Sequence, residues 1–138
     1  MKITTVWSWL QTAFAGVGGF LGWYLGGVDG FLYVLIAFVV VDYITGVLRA
    51  ISEKQLSSRI GAHGIAKKVA IFIVVGIGHL IDFYLLGSEG APLRTAVIFF
   101  YIANEGVSLL ENTTAIGLSV PEKLKEILAQ LHGKGEQK

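Results

Sequence analysis

The chain has 138 residues, of which 54% are hydrophobic and only 15% charged, with a formal net charge of +1 and no cysteine. A soluble domain carries about 25% charged residues, and a domain this small cannot hide so much apolar surface from water. Composition therefore excludes a disordered chain, a nucleic-acid-binding tail, disulfide or thiolate chemistry and most small soluble enzymes, and it points to the bilayer as solvent.

A membrane-crossing helix takes about 20 mainly apolar residues. Four segments reach or approach that length, over residues 6–28, 31–51, 69–86 and 95–116. The expected fold is an all-α integral membrane domain over residues 1–118 with four transmembrane helices. A short cytoplasmic amphipathic helix and tail follow over residues 119–138. A three-span alternative lays the first or the fourth segment in the membrane interface.

The first segment carries Gly18, Gly22 and Gly26 at four-residue spacing, a ridge that lets helix backbones pack closely. Trp7, Trp9, Trp23 and Tyr24 near its ends fit interfacial belts. Ala13-Phe14-Ala15 mimics a signal-peptidase site, but the apolar stretch before it, Val6 to Leu10, is shorter than a secretory core of 7–15 residues. The segment is therefore read as a retained helix.

In the second segment Asp42, Thr45, Gly46 and Arg49 fall on one helical stripe, with Gly46 a second small residue for helix packing. The stretch from Ser52 to Lys68 reads as a cytoplasmic connection. Its basic residues Lys54, Arg59, Lys67 and Lys68, with neighbouring Arg49, are expected to meet anionic head groups. In the third segment Asp82 lies one turn from His79, within contact range. The fourth carries a long polar stripe of Tyr101, Asn104, Glu105, Ser108, Glu111 and Asn112. Ionised carboxylates at the bilayer centre cost about 2.5–3.5 kcal/mol each. Asp42, Asp82 and Glu105 must therefore face protein, water or one another, or be protonated. An aqueous or inter-subunit face is the favoured reading of the fourth-segment stripe, and hydrogen bonding inside one bundle is the alternative. Ser119, Pro121 and Glu122 form a helix start, and Leu124, Ile127, Leu128 and Leu131 then line one apolar face.

Basic residues set orientation. With four spans, Arg94 is the only one of the eleven Lys and Arg residues on the outer side, so both termini are expected in the cytoplasm. No phosphate-binding loop, zinc spacing or nucleophile elbow is present. No catalytic residue, metal, cofactor or nucleic-acid partner is expected, and the chain is not read as an enzyme.

Asp42-Tyr43-Ile44-Thr45-Gly46, Leu56-Ser57-Ser58, Gly64 and Lys67-Lys68, then Asp82, then Tyr101-Ile102-Ala103-Asn104-Glu105, Ser108, Glu111-Asn112, Gly117, Pro121 and Leu124 occur in that order. This set resembles the toxin-secretion/phage-lysis holin family over about two-thirds of the chain. The resemblance implies a protein that self-assembles in the bacterial host's cytoplasmic membrane into a lesion, with an endolysin or a toxin as cargo and an antiholin as a further partner. From the residues alone, a small proton- or ion-conducting channel or transporter using the intramembrane acids remains the alternative, as does an inert membrane scaffold.

Overall fold

A computed structural model describes residues 2–87 and 89–136. Among the described residues the chain is helical with no strand. Its helices are α1 (Ile3–Tyr24), α2 (Gly30–Ser52), α3 (Ser58–Leu80), α4 (Pro92–Ile116) and α5 (Glu122–Glu136). A π-helical turn, Ile81–Leu86, extends α3.

The core is built by α2, α3 and α4. Leu32, Leu35 and Val39 of α2 meet Ile71 and Val75 of α3 and Ile98 and Ile102 of α4. Their spacings of three, four and seven residues put each set on one helix face. The opposite faces carry exposed Ile44, Leu48, Ile73, Ile77, Phe99 and Phe100. Water would expel such a surface, whereas lipid tails solvate it. α2, α3 with its π-helical extension, and α4 are each long and apolar enough to cross a membrane.

Helix α1 differs from the first expected span. Its 22 residues suffice in length, about 33 Å, but its composition falls short of the other three, because Thr4, Thr5, Ser8, Gln11 and Thr12 dilute its N-terminal half. No α1 residue is buried. The helix touches the bundle at its C-terminal end, where the Tyr24 hydroxyl donates to the Ile73 carbonyl at 2.8 Å. A Cβ on Gly76 would lie 1.9 Å from the Tyr24 ring, so only glycine admits this contact. Gly76→Ala is expected to release α1 from α3 while leaving the core intact. Spin labels at positions 20 and 73 would show a broadened distance distribution; an unchanged one would contradict the packing role.

Of the three ridge glycines, Gly18 and Gly22 lie within α1 and Gly26 does not. Gly18 and Gly22 have no neighbour within contact range of an added Cβ. Gly26 lies beyond the helix, in the α1–α2 turn, with φ +83°, and an added Cβ would lie 2.6 Å from the His79 ring and 2.9 Å from the Arg94 side chain. It is a turn glycine, kept by positive φ and close approach.

The expected connection from Ser52 to Lys68 shrinks to Glu53–Ser57. The Ser57 hydroxyl caps α3 by accepting the Ile60 N–H at 3.2 Å, so Arg59, Lys67 and Lys68 are helical rather than loop residues. Within that helical stretch Gly61 and Gly64 make room for the Tyr43 ring, which would lie 3.3 Å from a Cβ on Gly64. Arg49, on the last turn of α2, pairs with Glu53 at 3.1 Å.

Candidate functional site

Two polar clusters lie inside the apolar bundle. The first joins α2, α3 and α4. Lys68 reaches Asp42 at 2.5 Å and also bonds Glu105. Asp42 and Glu105 are only 6% and 5% exposed. Asn112 donates from Nδ2 to the Asp42 carboxylate at 3.1 Å and to the Thr45 hydroxyl at 3.3 Å. Thr45 in turn donates to the Val41 carbonyl. Asn112 also sits 3.6 Å from where a Cβ on Gly46 would be, so the small residue lets α4 approach α2 at the cluster.

Each element contributes by periodicity. Asp42 continues the Leu35 and Val39 face of α2, and Glu105 and Asn112 continue the Ile98 and Ile102 face of α4. The cluster brings two carboxyl groups, both buried, onto one lysine between the three helices. Such a group is held only where hydrogen bonds and a counterion fill its valences. A cleft of about 220 Å³, lined in part by Tyr43, Gly46, Gly61, Lys67, Ser108 and Asn112, adjoins it between the three helices.

The second cluster joins the α1–α2 turn to the start of α4. Ala91, the residue before α4, has φ +47° and offers no side-chain cap. Asp82 supplies the missing acceptor from the π-helical turn. Its carboxylate takes the N–H groups of Leu93 at 3.1 Å and Arg94 at 2.8 Å. A carboxylate at a helix N-terminus satisfies orphan donors and meets the positive end of the dipole. Asp82 is accordingly 2% exposed, and it turns to α4 rather than to His79, which packs near the Phe83 ring.

Arg94 is buried beside it. Its guanidinium donates to the Leu25 carbonyl at 2.5 Å, the Gly27 carbonyl at 2.8 Å and the Asp29 carboxylate at 2.8 Å. Asp29 also caps α2 by accepting the Leu32 N–H at 2.9 Å. Partial burial pushes the Asp29 carboxyl up, but Arg94 and the Leu32 N–H outweigh it and hold the group below its ordinary value.

The sequence-derived stripe on α4 is thus divided. Glu105 and Asn112 turn inward, Tyr101, Asn104 and Ser108 are half-buried, and Glu111 is exposed. Asp42 and Thr45 join the first cluster and Asp82 the second. Sequence reasoning placed Lys68 with solvated loop cations and Arg94 as a lone outer charge, and so missed both as cluster centres. One signal pointed to Arg94: a cation in the first turn of a helix opposes the dipole and needs partners elsewhere. Lys67, Lys54 and Arg59 are exposed. Among the described residues no group of acids and histidines is placed to hold a metal ion.

The bundle defines the class: a small helical membrane protein with three candidate membrane-spanning helices and charged residues enclosed between them. The bacteriophage holin family matches residues 19–133, and the chain belongs to that family, whose members are non-enzymatic membrane proteins. It is 35% identical over 115 residues to a probable holin of Bacillus phage phi105, covering 83% of this chain and 84% of that protein. It is 46% identical over 119 residues to an uncharacterised protein of Listeria monocytogenes, covering 86% and 84%. It is 39% identical over 127 residues to an uncharacterised 14.9 kDa protein of Clostridium perfringens, covering 92% and 96%. No solved structure matches the chain.

Proposed function

We propose that the chain acts as a holin. Copies accumulate in the bacterial cytoplasmic membrane and assemble into a lesion large enough to release an endolysin, or a toxin in hosts that secrete one. The observation that carries this reading is the enclosed Asp42–Lys68–Glu105 cluster. Its carboxylates are too costly to expose to lipid and are covered in the single chain. Each subunit can therefore accumulate without harm, and the polar faces of α2 and α4 turn to a shared aqueous lumen once subunits crowd together. An antiholin would act by opposing that step.

In this reading both termini and the α2–α3 connection face the cytoplasm, with α1 as a fourth span. Arg94 does not oppose that topology, because its charge is buried and paired with Asp29 rather than presented in an outer loop.

The double substitution Asn104→Leu and Glu105→Leu tests the reading. Lys68 keeps Asp42 as its partner, so insertion should persist while lysis is abolished or severely delayed. Unchanged lysis timing would refute it. A second reading, an ion-conducting channel, is favoured by the cleft that adjoins Asp42 and Lys68. Vesicles separate the two: a holin releases large dyes and proteins, a channel only ions.

A further inference from the structure

The cleft beside the first cluster carries hydrogen-bond donors that the bundle does not use. It runs from Lys68 and Asn112 out to Leu56 of the α2–α3 connection, with a volume of about 220 Å³. Tyr43, Lys67 and Ser108 line it as well. The cluster's carboxyl groups do not face an occupant directly, because Lys68 covers both and Asn112 also bonds Asp42. An ammonium has three N–H groups, and Lys68 spends two of them on Asp42 and Glu105. The Tyr43 hydroxyl reaches only the Gly61 carbonyl, at 3.5 Å, the outer limit of such a bond. Among the described residues the Ser108 hydroxyl has no hydrogen-bond partner.

Positive charge is also in excess at this end of the bundle. Lys67 stands exposed at the mouth of the cleft, with Lys54 on the connection and Arg59 in the first turn of α3. Among the described residues none of these three cations forms an ion pair. The other cations nearby are matched. Arg49 pairs with Glu53, and Lys125 of α5, the helix packed against α4, pairs with Glu122. Leu56 and Ile60, each 50% exposed, give the cleft an apolar lip.

We propose that the cleft seats the headgroup of an anionic phospholipid. Lys67 and the Tyr43 and Ser108 hydroxyls take its phosphodiester, and its glycerol and first acyl carbons lie on Leu56 and Ile60. Charge complementarity selects the occupant: three unpaired cations surround a cleft whose acids are already covered. The apolar lip selects a lipid over free phosphate, which would leave Leu56 and Ile60 uncovered. One water takes about 30 Å³, so a cleft of about 220 Å³ admits a phosphodiester and excludes a peptide helix. The α2–α3 connection joins two candidate spans of 23 and 29 residues. Helices of that length exceed a hydrocarbon layer about 30 Å thick, so the connection meets the headgroups in either orientation. The site rests on α2 and α3 crossing a membrane and not on the holin reading. A seated headgroup also closes the cleft that the ion-channel reading uses.

The full chain reconstituted in phosphatidylcholine vesicles tests the site. The share of spin-labelled phosphatidylglycerol immobilised by the protein is compared with that of spin-labelled phosphatidylcholine. Phosphatidylglycerol should be preferred by about fivefold, the worth of one close cation. Lys67→Gln should remove the preference, whereas Lys125→Gln, the same change of charge outside the cleft, should leave it unchanged. Ser108→Leu should remove it by filling the cleft at constant charge, and Ser108→Ala should lower it. If the leucine variant does not fold, the alanine variant carries the comparison. No preference in the wild type would overturn the proposal. Equal losses in Lys67→Gln and Lys125→Gln, with both Ser108 variants unaffected, would overturn the cleft in favour of diffuse surface attraction. Displacement of the lipid by inorganic phosphate, but not by chloride at the same ionic strength, would overturn the lipid as occupant. A lipid preference without release of large dyes would defeat the holin reading and leave this site standing.

Discussion

Replacing Lys68 with methionine should open the bundle. The substitution removes the counterion of two enclosed carboxylates, Asp42 and Glu105. Breaking a buried ion pair from one side costs about 3–5 kcal/mol, against a typical total stability of about 5–15 kcal/mol. Asp42 keeps the Asn112 amide, whereas Glu105 loses its ammonium partner. A single cysteine in place of buried Ala103 reports opening through its labelling rate. That rate should rise by about 100-fold or more. Combining Lys68→Met with Asp42→Asn and Glu105→Gln should return it close to the wild-type value, because the charges are then removed together. A triple variant as open as the single one would show that Lys68 acts through packing rather than charge.

The second large effect is expected at Arg94. Arg94→Ala leaves the Leu25 and Gly27 carbonyls without their donor and Asp29 without its cation. An orphaned buried acceptor costs about 1–3 kcal/mol; Gly27 and Asp29 are exposed enough for water to offset part of the loss. Arg94→Lys should recover little, since an ammonium cannot reproduce the three-way fork. Amide exchange across Leu25–Gly27 should quicken by about 10-fold or more. The start of α4 should stay protected, because Asp82 accepts backbone N–H groups that survive the substitution. Equal protection of the turn in mutant and wild type would refute the clamp. The lowered Asp29 value sets the sign of its pH dependence. The pairing stabilises the fold fully above the ordinary aspartate range and is lost as pH falls through the lowered folded value. Acid should therefore loosen the turn in the wild type and act more weakly in Arg94→Ala, where the Leu32 N–H still favours the carboxylate.

The two clusters show how far residue patterns reach. Asp42, Thr45, Glu105 and Asn112 were legible as polar positions on apolar helices, because a 3.6-residue period assigns each a face. Lys68 was not, because its helix looked broken: two glycines and three cations read as a loop until the Ser57 cap and the Tyr43 ring give them a helical role. Asp82 was legible as an intramembrane acid but not as a cap. It lies ten residues from Pro92, and its reach to the α4 amides depends on the turn between them. Gly18 and Gly22 formed a packing signal, yet the single chain offers them no partner.

The sequence by itself determined the helical class, three candidate spans and the family, because hydrophobicity and periodicity are local properties of a chain. Tertiary structure decided that the acids are paired rather than lumen-facing in the single subunit, that Lys68 and Arg94 are the centres of their clusters, and that α5 lies against α4. Those outcomes depend on which helix faces meet. A meeting of faces is set by the joint packing of Leu35, Val75 and Ile98 and their neighbours, not by any one segment read alone.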